Sequence, residues 1–129
     1  SSVCERYPGL RFVPTEFETG WVGIMLRRLD SVYHRRGGAS NPAHPPRQPS
    51  DYWKQNFLVT FEDDDIGVHT RHISGHQTLM WGSDYPHGDS VFPHSQKVLD
   101  EILADCTAEE RYDMTARTVV ELYDLPYTV

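Results

Sequence analysis

The sequence predicts an α/β fold with parallel strands, and three observations carry that reading. Strand-like and helix-like segments alternate along the 129 residues, which is the pattern of successive βα units. Phe57-Leu58-Val59-Thr60-Phe61 is aromatic and β-branched and, Thr60 apart, apolar on both faces, as suits a strand covered on both sides. Leu79-Met80-Trp81 then leads through Gly82 and Ser83 to Asp84 and a turn containing Pro86, His87 and Gly88. A buried parallel strand that delivers a carboxylate to the end of a sheet or barrel reads this way.

The elements follow in order. Glu5-Arg6-Tyr7-Pro8-Gly9-Leu10 reads as the tail of a helix, a Pro-Gly turn and a strand entry. Because the chain opens inside a helix-like phrase, it is expected to be a piece of something longer. Leu10 to Pro14 makes a short strand whose end carries Thr15 and Glu16. From Thr19 to Tyr33 the residues Val22, Met25, Leu26, Leu29 and Tyr33 recur at helical spacing, with Arg27, Arg28 and Asp30 between them, which predicts an amphipathic helix packed on the sheet. Residues 37–49 hold two Gly and four Pro and can be neither helix nor core strand. So long a connection is a functional or a mobile loop, and its His44 is expected in solvent. Ser50 to Asn56 fits about two helical turns opened by a Ser50 cap.

After the Phe57–Phe61 strand comes the acidic run Glu62-Asp63-Asp64-Asp65. Carboxylates there either face a cation or cap the next helix against its N-terminal dipole. The cap is the favoured reading for Asp63 to Asp65, and Glu62 stays open. Ile66 to His76 is expected to be helical, which would put His69, His72 and His76 on one face. His72 and His76, four apart, could then share a metal ion and make a metal-buffering surface, although no acidic or thiolate ligand lies nearby. Helical spacing returns from His94 to Leu103. Thr107-Ala108-Glu109-Glu110 matches a capping box and opens a last helix through Tyr112, Ala116, Val119, Val120 and Tyr123, stopped by Pro126.

Composition narrows the function classes. The length fits one domain, residues 1–129, with a core of its own. The net charge is −7 and the basic residues are scattered, so no nucleic-acid surface and no polybasic membrane anchor is expected. No apolar run approaches the roughly 20 residues of a membrane span, and no signal-peptide pattern opens the chain, so a cytoplasmic protein is expected. Cys4 and Cys106 match no zinc spacing and read as free thiols. Seven histidines and the acidic balance keep metal chemistry in view. Asp84 is the leading chemical candidate; its alternative role is to cap its own turn, as Asp does before Pro and Gly.

Several phrases resemble a known family. Glu5-Arg6-Tyr7-Pro8-Gly9-Leu10-Arg11-Phe12-Val13, Glu16, Gly20-Trp21 and Arg28-Leu29-Asp30 are similar to the sixth strand and helix of the amidohydrolase-related metal-dependent hydrolases, allied to aminocarboxymuconate semialdehyde decarboxylase. Phe57 to Glu62 resembles their seventh strand, and Gly82-Ser83-Asp84-Tyr85-Pro86-His87 resembles their strand-eight signature. The resemblance implies the C-terminal portion of a (β/α)8 TIM barrel, about strands 6 to 8 with their helices, with the site at the C-terminal ends of the strands. It implies a divalent metal, zinc in the first place, that Asp84 ligates or approaches while accepting a proton from activated water. Glu16 stands where decarboxylase relatives carry a His, which weakens decarboxylation and leaves Glu16 as a base, a metal neighbour or a substrate contact. His87 is either an acid or substrate contact, or a residue that hydrogen-bonds the loop.

The family's His-x-His pair is missing, since the sequence contains none, and nothing resembles strands one to five. The implied whole is an enzyme acting on a small-molecule substrate by hydrolysis, or by decarboxylation. A three-strand piece cannot close a barrel. Alone it is expected to be nearly silent and to associate with itself or with the missing N-terminal half. A truncated, non-catalytic interaction module is the competing reading.

Overall fold

The structure, a computed structural model, describes residues 2–127. Ser1, Thr128 and Val129, which the single-domain reading includes, lie outside the described residues. At the centre two strands, β1 (Val59–Phe61) and β2 (Leu79–Trp81), run parallel with Val59 opposite Leu79 and Phe61 opposite Trp81. The expected first strand is reduced to one parallel bridge between Phe12 and Phe57. Its hydrogen bonds still follow a parallel ladder: Phe12 N–H donates to Asn56 O (2.8 Å), Leu58 N–H to Phe12 O (2.9 Å) and Thr60 N–H to Pro14 O (3.1 Å). The order across the layer is therefore 10–14, β1, β2, and all three segments end on the same side.

Helices flank this layer. A four-residue turn of helix, α1 (Val3–Arg6), precedes the first segment, and α2 (Gly20–Arg35) follows it. Helix α2 buries Val22, Leu26 and Tyr33 as its spacing predicts, but Leu29 stays 43% exposed. Helix α3 (Pro49–Asn56) begins one residue before the expected cap: Pro49 opens it, because a first-turn residue needs no N–H, and Ser50 is already helical. Val22, Leu26, Trp53, Val59, Phe61, Val68, Leu79, Ile102, Leu103 and Met114 form one apolar core around the strands.

The expected helix from Ile66 to His76 is broken. It divides into α4 (Asp65–His69) and α5 (Arg71–Ser74), then a 3-10 turn over His76–Thr78. Gly75 sits at φ 93°, a left-handed conformation that glycine adopts without steric cost. His72 and His76 are thus not one helical turn apart. His76 turns to buried Asp113 (Nδ1 to Oδ2 3.0 Å), and His69 lies 3.7 Å from Asp105. Among the described residues no group of three or more His, Cys, Asp or Glu is placed to hold a metal ion, which removes the histidine-face reading.

The loop at 37–49 is ordered by contacts rather than free in solvent. His44 is half-buried, stacks on Tyr33 with ring centroids 5.3 Å apart and bonds Gly38 O at 3.2 Å, while Tyr33 Oη donates to Pro45 O at 3.0 Å. The C-terminal part comprises α6 (Ser95–Ile102), α7 (Ala108–Tyr112) and α8 (Thr118–Tyr123), the last two joined by a π turn over Asp113–Arg117. The capping box at Thr107 and Glu110 is present in both directions. Cys4 and Cys106 are free thiols. Among the described residues no helix is long and apolar enough to cross a membrane.

Candidate active site

Parallel strands place their C-terminal ends side by side, which is where open α/β layers build ligand sites. Here those ends enclose a cavity of about 650 Å³. The turn after residues 10–14 contributes Thr15, Glu16 and Glu18; β1 leads into Glu62 and Asp63; β2 leads into Asp84, His87 and Asp89. The three candidates Asp84, Glu16 and His87 therefore line one cavity. Glu16, Glu18 and Asp84 adopt φ values of 61°, 51° and 54°. That region is uncommon for residues other than glycine and is concentrated at functional sites.

The loop after β2 decides what the Asp84 carboxylate can do. Its turn is closed by main chain, with His87 N–H donating to Asp84 O at 2.8 Å. The Ser83 hydroxyl accepts from Tyr85 N–H at 3.4 Å, and the Ser90 hydroxyl donates to Ser83 O at 2.6 Å. Asp84 is therefore not spent as the cap of its own turn. Oδ2 instead bonds His87 Nδ1 at 2.7 Å. That bond, with the Asp84 charge and then the charges of Glu16 and Asp89, raises the His87 pKa above its ordinary value.

Glu62 sits deeper. Its N–H donates to Glu18 Oε2 (3.1 Å) and its carbonyl accepts from Trp81 Nε1 (3.1 Å), so both sides of its backbone are held. Its Oε1 is buried and has no hydrogen-bond partner among the described residues. Burial raises its pKa, the charges of Asp84, Glu18 and Asp89 push it further in that direction, and the nearby Val91 amide opposes them.

Asp64, expected as a cap, is one, and it reaches further than its own helix. Oδ1 accepts from Gly67 N–H (2.8 Å); Oδ2 accepts from Thr19 N–H (2.5 Å), Thr19 Oγ1 (2.9 Å) and Gly20 N–H (2.8 Å). The buried carboxylate thus ties the start of α4 to the start of α2 and fixes the turn that carries Glu16 and Glu18. A Cβ at Gly67 would overlap Thr19 Oγ1 and the Asp64 carboxylate, so that position needs glycine. The reading from sequence missed Glu18 and Asp89 as cavity residues. Glu18 lies two positions beyond Glu16 on the same strand end, a signal that was available; Asp89 comes from a loop whose path no spacing reveals.

The cavity lining holds six carboxylates (Glu16, Glu18, Glu62, Asp63, Asp84 and Asp89), one histidine, and neither Lys nor Arg. A second cavity, of about 750 Å³, shares no residue with it and is apolar, lined by Leu10, Phe12, Trp21, Met25 and Leu29 among others.

A sequence model of the amidohydrolase family matches residues 1–125. The chain belongs to the amidohydrolase family. Among solved structures, an amidohydrolase from Mycobacterium avium subsp. paratuberculosis K-10 matches 94% of this chain at 20% identity with a TM-score of 0.75, and the match spans 30% of that protein. The 5-carboxyvanillate decarboxylase of Novosphingobium aromaticivorans DSM 12444, solved with manganese and 4-hydroxy-3-methoxy-5-nitrobenzoic acid, matches 95% of this chain at 18% identity with a TM-score of 0.70, over 35% of its own length. No curated protein matches. This amidohydrolase chain thus shares the fold of about one third of each of those structures.

Proposed function

We propose that this chain supplies the strand-6 to strand-8 portion of a metal-dependent amidohydrolase site that hydrolyses a small, neutral or cationic substrate. The observation that carries the reading is Asp84 at the end of a parallel strand, with one carboxylate oxygen held by His87 and the cavity shared with Glu16. A carboxylate oriented by a neighbouring hydrogen bond is the usual condition of a metal ligand, so Asp84 fits one ligand position. The remaining ligands would come from outside this chain. An oxygen-rich lining suits manganese or magnesium as well as zinc. A divalent cation, when bound, lowers the pKa of a water molecule to about 7.

The chain's own residues divide the remaining work. Asp84 accepts the proton that the attacking water gives up. His87 fixes the orientation of Asp84, and its protonated form balances part of the cavity's negative charge. Glu16 faces the same space from the strand end on the far side of β1 and orients polar groups of the substrate. Hydrolysis is favoured over decarboxylation because six carboxylates with no Lys or Arg among them repel an anionic substrate. The other barrel units complete the site and are this chain's partner.

Native mass spectrometry in a metal-preserving buffer tests this reading. The chain alone is expected to carry no stoichiometric ion. A polypeptide that adds the two thirds of the relatives this chain does not span is expected to hold a divalent cation, with binding weakened at least tenfold in Asp84→Asn. Undiminished binding in that variant sinks the assignment of Asp84.

A further inference from the structure

The turn that brings Glu16 and Glu18 to the cavity is strained and sparsely held. Glu16 and Glu18 stand at φ 61° and 51°, a left-handed conformation that a residue with a side chain keeps only where its surroundings enforce it. Just beyond the turn, Asp64 Oδ2 holds the amides of Thr19 and Gly20, and the Glu18 side chain accepts from Glu62 N–H. The backbone of residues 15–18 is itself held at one place among the described residues. Trp21 Nε1 donates to Phe17 O at 3.0 Å and to Glu18 O at 2.9 Å, and no other donor there meets either carbonyl. One N–H shared between carbonyls three and four positions back is a three-centre bond. It reaches backwards from the first turn of α2 and pins the two peptide planes that flank Glu18.

The indole ring lies outside the acidic cavity. It walls the apolar one and meets buried Trp53 edge-on with centroids 6.0 Å apart, while Trp53 stacks in turn on Phe57 at 5.1 Å. A ring anchored on the aromatic part of the core thus presents its one polar group to the turn. We infer that Trp21 is a positioning residue for the candidate site: its indole N–H fixes the peptide planes around Glu18 and so keeps Glu16 and Glu18 on the cavity. The inference rests on the hydrolytic reading for the task of Glu16, the orientation of polar substrate groups. Without the indole N–H the turn relaxes towards ordinary negative φ, and substrate binding suffers. Bond breaking does not, because Asp84 and His87 stand on a separate loop closed by its own bonds.

Trp21→Phe keeps a ring against Trp53 and removes the donor. In NMR spectra of this chain the variant is expected to shift or broaden the amide resonances of residues 16–18 and to leave those of Val59, Phe61, Leu79 and Trp81 in place. In the wild type, the Trp21 indole proton is expected to exchange with solvent at least about tenfold more slowly than that of a free indole. Exchange at the free rate removes the inference even if the variant does not fold, and so do unmoved amides at 16–18 in a folded variant. In the complete enzyme the substrates are 4-nitroacetanilide and glycine 4-nitroanilide, a neutral and a cationic amide. Trp21→Phe is expected to raise KM about tenfold with kcat kept within about twofold, the pattern of lost uniform binding. That rise should shrink below about twofold when Glu16→Gln is already present, since changes acting through one contact do not add. Additive effects, or a lower kcat at constant KM, mark a general structural role and overturn the inference. If the wild type hydrolyses neither amide, the hydrolytic reading falls and takes this inference with it, whereas free indole exchange or unmoved turn amides remove this inference alone.

Discussion

Glu110 shows how one side chain can serve two elements. It accepts two bonds from Arg71 (Nε 2.9 Å, Nη2 3.1 Å) and one from Thr107 N–H (2.8 Å), which together hold its carboxyl group at about 2. A depressed folded pKa contributes stability above the ordinary carboxylate value and loses it as pH falls through the folded one. Glu110→Gln is therefore expected to cost about 1.5 kcal/mol at pH 7, the lower end for bonds to a charged group. In urea melts the gap from wild type should close as pH falls from about 4.5 towards 2; a gap unchanged at low pH contradicts the ion-pair account. At His87 the sign is opposite. Its raised pKa means that pairing with Asp84 is complete below the ordinary histidine value and is lost as pH rises through the folded one. Asp84→Asn should return the His87 imidazole resonance to an ordinary titration, and an unmoved midpoint would deny the pairing. The Thr107–Glu110 half of this chemistry was legible because the capping box is local. Arg71, 39 positions away, was not.

At the scale of elements, the Asp64 knot joins α2 and α4 where neither helix's sequence announces the other. Asp64→Ala would leave the amides of Thr19, Gly20 and Gly67 without their acceptor, and it is expected to cost about 3 kcal/mol. It should also broaden amide resonances over residues 15–20, because the turn bearing Glu16 and Glu18 loses its anchor. A loss below half a kcal/mol, with sharp resonances in that turn, would show that the turn stands by itself. β1 and β2 were legible because a short run apolar on both faces has few other homes. Most of α2 was legible from its period. The break in the segment 66–76 was not, because regular histidine spacing is silent about Gly75 turning the backbone to φ 93° and about Asp113 drawing His76 inward. The cavity was half legible: strand ends can be counted from the sequence, but the loop that brings Asp89 into the wall cannot.

For the whole molecule, the decisive feature is the side of the layer away from β1. Phe12 directs its N–H and C=O at Asn56 and Leu58, just ahead of β1, so Arg11 and Val13 direct theirs the other way, and those groups make no hydrogen bond among the described residues. Beside this edge lies the 750 Å³ apolar cavity, and Leu10, Phe12, Trp21 and Leu29 are each at least 36% exposed around it. An open strand edge next to an apolar groove invites a further strand and its helix. The chain alone should therefore exchange the Arg11 and Val13 amides quickly while those of Phe12 and Leu58 stay protected, and it should self-associate as concentration rises. Leu29→Glu, at a position the chain itself leaves open, should change the stability of the monomer by no more than about 0.5 kcal/mol yet suppress that association in sedimentation velocity. If the wild type stays monomeric at high concentration, or if the Arg11 and Val13 amides are slow in a monomer, the edge is already satisfied and the chain needs no partner strand to close it.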